Sequence, residues 1–326
     1  MTEAFLFKAA KAAKAASPQI LLRQESNYEL LTGSSVFMLI DTHAHVNFNA
    51  YKADADKVIQ RALDNNIWMI NVGSQFDTSQ RAVNMVEQYK KGVYAAVALH
   101  PIHLGPPKFI DEEETGGPLL KFTPHQKRFG AGFKTREEKF DSEKYRELAR
   151  NPKVVAIGET GLDYYHLDLA SPNIKELQKE VFRQHLELAS ELNKPVIFHC
   201  RKAYEDLLSE LQATSYKLQA VVHCFMGKWS QAEEFLRMGF YLGFDGPITY
   251  CRDYDKVIKN TPLERILIET DCPYLTPEPI RQAQGKPRNE PLYVKYVAEK
   301  IAEIKEISFE KVAEQTTKNA KELFKI

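Results

Sequence analysis

Eight short runs rich in Val and Ile, separated by stretches of helical periodicity, restrict the fold of this chain more than any other feature. The runs are Val36–Ile40, Ile67–Val72, Val93–Leu99, Val154–Ile157, Pro195–Phe198, Ala220–Val222, Phe240–Phe244 and Arg265–Ile268. Each is nearly continuous in apolar residues, as a strand is when both faces of a parallel sheet are buried. Amphipathic stretches lie between them, at Asp54–Asn65, Thr78–Lys90, Lys175–Leu192, Tyr204–Gln212 and Gln231–Met238. Ser142–Arg150 also reads as helical, and two more helical segments, near Pro291–Ile304 and Ser308–Phe324, close the chain. Eight strands with interposed helices predict a (β/α)8 TIM-type barrel. An open doubly wound sheet is the alternative, weakened because no Gly-rich dinucleotide fingerprint follows the first strand.

The barrel accounts for residues 38–326. Residues 1–37 differ: Phe5–Ala16 is rich in Ala and Lys, with Lys8, Lys11 and Lys14 at three-residue spacing. Those lysines interrupt the apolar run that a secretory signal needs. The segment is expected to be a poorly ordered extension, with Met38 as the working start; a basic amphipathic targeting helix is the alternative. Inside the barrel, the connection from His103 to Asp141 is long for a βα loop and holds Gly105-Pro106-Pro107, Glu112–Glu114 and Gly116-Gly117-Pro118. It reads as an insertion near 105–140, either functional or loose.

Composition narrows the function. The 44 Lys and Arg balance the 44 Asp and Glu, which excludes a strongly basic coat that grips nucleic acid unspecifically, though not a small basic site. No apolar run reaches the roughly 20 residues that span a bilayer. The four cysteines, Cys200, Cys224, Cys251 and Cys272, form no CxxC pair. A reducing, cytoplasmic setting fits them better than a disulfide scaffold does.

The His and acidic residues fall where the strands end. Strand one ends in Asp41-Thr42-His43-Ala44-His45, and alternation puts both imidazoles on one face. Strand four ends in Gly158-Glu159-Thr160-Gly161-Leu162-Asp163, strand five in His199-Cys200-Arg201, strand six in His223-Cys224-Phe225 and strand eight in Glu269-Thr270-Asp271-Cys272-Pro273. In a barrel these carboxyl ends converge on one face, where the active site lies. His43, His45, His199, His223, Glu159 and Asp271 together make a metal site, with room for two ions. Mixed N and O donors suit Zn²⁺ or Mn²⁺, and Glu159 is well placed to bridge. Cys200 and Cys224 alternate away from these ligands and read as packing residues.

The motif set resembles the TatD family of metal-dependent hydrolases, within the amidohydrolase-like barrels. Asp41–His45, Gly158–Tyr165, His199–Arg201, His223–Phe225 and Glu269–Leu275 carry the likeness, with Leu99-His100-Pro101 and Arg288-Asn289-Glu290-Pro291. It spans about Met38 to Ile326. The extension and the length of Gly105–Phe140 depart from the family pattern. The resemblance implies a divalent-metal-dependent deoxyribonuclease, typically a 3′→5′ exonuclease, or a related phosphoesterase, with DNA as substrate; the neutral net charge favours a short or frayed single strand over a long duplex. It implies that His43 and His45 bind one ion (Zn, Mn or Mg) with Asp271, that His199 and His223 bind the second, and that Glu159 bridges. Related barrels often carry a carbamylated lysine at the end of strand four; Glu159 supplies a carboxylate directly.

Phosphodiester cleavage suits these residues. Two ions polarise the phosphoryl oxygens and supply a hydroxide at neutral pH, and Asp271 takes or relays a proton, so Glu159 and Asp271 are the expected catalytic pair. Arg201 shares a strand face with His199 and is a candidate phosphate clamp, the alternative being a structural ion pair. His100 and His103, just past strand three, are candidate substrate contacts. Tyr164 and Tyr274 are candidates for base stacking, whereas Tyr165 is expected to pack in the core. A D-aminoacyl-tRNA deacylase or a small phosphoesterase on the same metal site is the alternative enzyme. A non-catalytic barrel is disfavoured because all six ligands are present. No membrane and no obligate protein partner are expected.

Overall fold

The computed structural model describes residues 37–107, 109–110, 133–166, 173–284 and 288–326. The expected extension up to residue 36, and residues 111–132 of the expected insertion, lie outside the described residues. The barrel strands are β1 (Leu39–Ala44), β2 (Ile67–Val72), β3 (Val93–Val97), β6 (Val154–Asp163), β7 (Val196–Arg201), β8 (Ala220–Val222), β9 (Tyr241–Phe244) and β10 (Ile266–Ile268). Two short strands, β4 (Phe109–Ile110) and β5 (Phe133–Lys134), pair antiparallel within the connection after β3.

Every barrel pairing is parallel, and the strand order is β1-β2-β3-β6-β7-β8-β9-β10. A strand order that follows the chain excludes the doubly wound alternative, which needs a reversal point. The circle closes where β10 meets β1. There the contacts are a parallel bridge between Ala44 and Cys272, the Thr42 hydroxyl donating to the Ile268 carbonyl at 3.2 Å, and the Asp271 N–H donating to the His43 carbonyl at 2.8 Å.

The strands form because both their faces are covered. Inside, Ile40, Ile70, Ala96, Ala156, Ile197, Val221, Tyr241 and Leu267, one from each strand, pack with Leu323 and Phe324 of the last helix. Outside, the helical stretches supply the second layer: α1 (Ala55–Asp64) buries Val58, Ile59 and Ala62, and α4 (Ile174–Glu191) buries Phe182, Leu186 and Ala189. Each such side chain contributes roughly 1.5–3 kcal/mol when fully buried. The other helices are α2 (Phe76–Val86), α3 (Ser142–Ala149), α5 (Tyr204–Ala213), α6 (Trp229–Arg237), α7 (Asp255–Asn260), α8 (Ile280–Gln284), α9 (Val294–Lys305) and α10 (Phe309–Phe324). Side-chain caps start two of them: Asp141 accepts from the Glu143 and Lys144 N–H groups, and Ser308 from that of Lys311.

One strand differs from expectation in a way that matters for the site. β6 runs on to Asp163, well past the apolar run that ended at Ile157. In its pairing with β7, Gly158 lies opposite Ile197 and Thr160 opposite Phe198, so Glu159 is an extra, bulged residue. A bulge re-aims the side chain it carries, and here that side chain is the central carboxylate. Gly161 follows at φ +151°, with the His199 carbonyl only 2.0 Å from where a Cβ would stand, so no side chain fits at that position.

Candidate metal centre

At the carboxyl ends of the strands lies a cavity of about 860 Å³. Five of the six side chains expected as ligands, His45, Glu159, His199, His223 and Asp271, line it with Arg201, His100 and His103, and His43 lies buried just beneath, against His45 and Glu159. Period-two alternation puts His43 and His45 on one side of β1, and their Nε2 atoms lie 3.2 Å apart. The His45 Nδ1–H donates to the Val72 carbonyl at 2.8 Å, which leaves its Nε2 lone pair facing the cavity. Asp271, held just beyond β10, sets Oδ1 at 3.2 Å from His45 Nε2 and 3.8 Å from His43 Nε2.

Glu159 sits at the middle of the group. Its Oε2 lies 3.3 Å from His43 Nε2. Its Oε1 lies 2.6 Å from His199 Nδ1, 3.4 Å from His100 Nε2 and 3.7 Å from His223 Nε2. The two oxygens of one carboxylate thus address two different sets of nitrogens. His223 also stacks on His43, with ring centroids 3.5 Å apart, so the two sets adjoin.

The electrostatics suit cations. Burial alone would raise Glu159, but the imidazoles of His100, His223, His199 and His43 outweigh it and hold its carboxyl well below the usual range. Asp271 is also lowered: burial opposes ionisation, and the surrounding imidazoles of His45, His223 and His43 overcome it. Burial, with His223 beside it, lowers His43 to about 4, so its ring is neutral at pH 7. Ionised carboxylates and a neutral His43 are the states a divalent ion needs. At His199 and His223, by contrast, burial is outweighed by the carboxylates beside them. Glu159 and Asp163 raise the first to about 9, and Glu269 and Glu159 raise the second above the usual imidazole range, so binding an ion there displaces a proton from each ring.

The donor geometry passes the same test. With His43 Nε2 deprotonated, two imidazole lone pairs face each other across 3.2 Å and a cation among them relieves the repulsion. The Nδ1 of His43 is buried with no hydrogen-bond partner, so no bond at that atom fixes the ring's tautomer against metal binding at Nε2. Among the described residues, three triads of ligand atoms are close enough to hold an ion: His43, His45 and Asp271; His100, Glu159 and His199; and His43, His223 and Glu269.

Hydrogen bonding separates ligands from neighbours in these triads. His100 Nδ1 accepts the Ile102 N–H at 3.1 Å, so its Nε2 carries the proton and donates toward Glu159. That makes His100 a hydrogen-bond donor into the cavity, not an N-ligand. The His103 Nδ1–H donates to the Arg136 carbonyl at 3.2 Å. Arg201 is buried, with its guanidinium carbon 4.3 Å from the Tyr165 ring centroid. Tyr165 is thus a platform for Arg201.

Several residues around the ligands were not anticipated. Glu269 is fully buried, its Oε1 2.9 Å from His223 Nδ1, and it accepts the Cys224 N–H. Asp163 contacts His199 from behind. Asp41 accepts from the Thr270 N–H at 2.9 Å and the Thr270 hydroxyl at 2.6 Å, tying β1 to the end of β10. All three lie inside the strand-end motifs, and Asp163 and Glu269 share strand parity with a ligand, Glu159 and Asp271 respectively; that shared parity was the available signal. Cys200, Cys224 and Cys272 are buried free thiols. Cys200 and Cys224 do reach the cavity wall, but none belongs to a ligand triad.

A parallel eight-stranded barrel that gathers such donors at its carboxyl ends defines a metal-dependent hydrolase. The comparisons agree. The family described as TatD related DNase matches residues 40–325, so the chain belongs to the TatD family. An uncharacterized metal-dependent hydrolase, YabD of Bacillus subtilis, is 43% identical over 293 residues, covering 89% of this chain and all of that protein. The 3′-5′ ssDNA/RNA exonuclease TatD of Erwinia tasmaniensis is 30% identical, covering 88% of this chain and all of the relative. Among solved structures, the TatD homologue YJJV of Escherichia coli superposes with a TM-score of 0.70 at 27% identity, over 90% of this chain and all of that one. Among the described residues no helix is long and apolar enough to cross a membrane.

Proposed function

We propose that this protein is a two-metal phosphodiesterase that trims single-stranded or frayed DNA from its 3′ end, in a reducing, cytoplasmic setting. The observation that carries this reading is the division of labour at Glu159, whose Oε2 faces His43 and whose Oε1 faces His199 and His223. His43, His45 and Asp271 would hold one ion and His199 and His223 the second, with Glu159 shared between them. When bound, two divalent ions (Zn, Mn or Mg) polarise a phosphoryl group and supply a hydroxide nucleophile at neutral pH.

The chain's own residues do the rest. Asp271 Oδ1 borders both the His45 and His43 nitrogens, which places it to take a proton and pass it to the leaving oxygen. Arg201, flattened on Tyr165, presents a planar fork that matches two phosphate oxygens. His100 donates from Nε2 to the same region, and His103 lines the cavity wall. A cavity of this volume encloses the end of one strand, not a duplex. The relative named as a 3′-5′ ssDNA/RNA exonuclease supports the polarity and the single-strand preference.

The test is a parallel incubation of Mn²⁺-loaded protein with 5′-labelled single-stranded DNA, duplex DNA, RNA and a D-aminoacyl-tRNA. A ladder shortening from the 3′ end of the single strand, abolished by EDTA, is expected. Release of the D-amino acid with the polynucleotides left intact would overturn the nuclease reading in favour of a deacylase.

A further inference from the structure

We propose that Asp163 is a positioning residue for His199, holding the ring so that only Nδ1 is offered to the second ion, and that His166 shares in this by pinning the same carboxylate oxygen. The inference rests on the two-ion reading of the site.

Asp163 is the last residue of β6 and is 1% exposed. Its Oδ2 lies 3.1 Å from His199 Nε2 and 2.7 Å from His166 Nδ1. An ionised carboxylate only accepts, so both ring nitrogens carry their hydrogens toward it. The other nitrogen of His199, Nδ1, faces Glu159 Oε1 and the remaining ligands. It is therefore the nitrogen that gives up its hydrogen to an ion, while Asp163 retains the proton on Nε2.

The carboxylate is itself immobilised. Its Oδ1 accepts the N–H groups of Tyr165 at 3.0 Å and His166 at 2.8 Å, a tight turn built on one side chain. Gln178, reaching in from α4, clamps the backbone of Asp163 on both sides. Its Oε1 accepts the Asp163 N–H at 3.0 Å, and its Nε2 donates to the Asp163 carbonyl at 3.1 Å. Gln178 is 2% exposed, so the clamp is shielded from water. Strand end, turn and outer helix thus hold one residue, with Oδ1 fixed by the turn and Oδ2 facing a metal-ligand candidate. Carboxylates placed behind ligating imidazoles fix the tautomer and raise ligand basicity, and their loss typically lowers metal affinity by roughly 10- to 100-fold.

Asp163→Asn separates this role from simple packing. The amide keeps the size and one oxygen for the turn, but its second atom becomes an N–H donor. His199 then satisfies it by turning its lone pair to Nε2 and its hydrogen to Nδ1, the wrong way round for the ion. Titration calorimetry with Mn²⁺ should show two sites in the wild type. In Asp163→Asn the first site is expected unchanged and the second weakened roughly 10- to 100-fold. Turnover of a nitrophenyl phosphodiester should show a raised Mn²⁺ activation constant, with kcat recovering to within about threefold at saturating Mn²⁺, which a purely structural defect would not permit. Should Asp163→Asn not fold, His166→Gln decides, because it leaves the Asp163–His199 contact and the turn in place. A second site weakened severalfold with the first unchanged supports the proposal. Wild-type affinity at both sites in a folded variant overturns it. Fewer than two ions bound by the wild type would instead overturn the two-ion reading.

Discussion

Lowering the pH from 7 to 5 should destabilise this barrel through a histidine that never meets substrate. His185, on α4, is fully buried. Its Nδ1 donates to the Val181 carbonyl at 2.8 Å, and its Nε2 accepts the Leu99 N–H at 3.1 Å. Both ring nitrogens are used in the neutral state, and protonation destroys the acceptor. Burial lowers its pKa from 6.5 to about 4. A histidine depressed in the folded state adds stability that is complete above the unfolded pKa and is lost as the pH falls from 6.5 toward 4. The full difference amounts to roughly 3 kcal/mol below pH 4. Between pH 7 and pH 5 the linkage gives a loss of about 2 kcal/mol, or on the order of 4 °C in Tm for a domain of this size. The comparison is with His185→Gln, whose amide can accept from Leu99 but does not titrate. Urea melts of both proteins in EDTA at each pH isolate the term, because every other titrating group cancels in the difference. The variant is expected to be less stable at pH 7 by about 1–2 kcal/mol and to close most of that gap at pH 5. A stability difference that stays constant across this range would refute the argument. The consequence reaches the site, since Leu99 immediately precedes His100.

Glu159→Gln keeps the size of the bridge but removes its charge. Bound metal, read by elemental analysis, should fall from two ions toward one, and kcat on single-stranded DNA should drop by roughly 10²-fold or more. At Gly243, a Cβ would stand 2.5 Å from Glu269 Oε2. Gly243→Ala should therefore push Glu269 off His223 and weaken metal binding by roughly tenfold in calorimetry, with the far-UV circular dichroism unchanged. A chain beginning at Met38 should fold and retain activity, since among the described residues the first hydrogen bonds are Leu39 N–H to the Asn66 carbonyl and the Thr317 hydroxyl to the Met38 carbonyl; insoluble protein would show that the preceding residues are structural. Replacing residues 111–132 by a short Gly-Ser link should change KM on polynucleotides more than Tm, because Arg136, at the edge of that segment, lines the cavity; identical kinetics on every nucleic acid would remove the segment from substrate recognition.

The apolar runs located the barrel strands well because burial on both faces leaves an unbroken signature. Ile67–Val72 and Ala220–Val222 coincide with β2 and β8 residue for residue. The signature fails where the strand enters the site. β6 continues through Glu159, Thr160 and Asp163, polar residues that a hydrophobic pattern reads as the end of a strand. Helices α7 and α8 were not anticipated, since each is too short to establish a period. The ligand positions were legible because each stands at a strand end. What stood behind them was not: Asp163 reaches His199 across 36 residues, and Glu269 reaches His223 across 46. His100 was placed with the substrate contacts, and the Ile102 N–H that fixes its Nε2 proton toward Glu159 could not be read from spacing. Tyr165 was expected to be core packing, and the cation it carries could not be read from spacing.

The junction between the first and last strands has a practical consequence. Elsewhere around the barrel neighbouring strands zip along a ladder, but here the hoop is fastened by one bridge and a few polar contacts. His43 and His45 lie on one side of that fastening and Asp271 on the other. An ion held by these three residues is a buckle, joining the two ends of a chain otherwise wound in a single direction. Chelation then removes more than a cofactor: it loosens the hoop where it is least stitched, and amide exchange in apo protein should rise first along Leu39–Ala44 and Ile266–Asp271. Metal content becomes a reading of how well the molecule is shut, and a stock stripped by a chelator ages from its buckle outward.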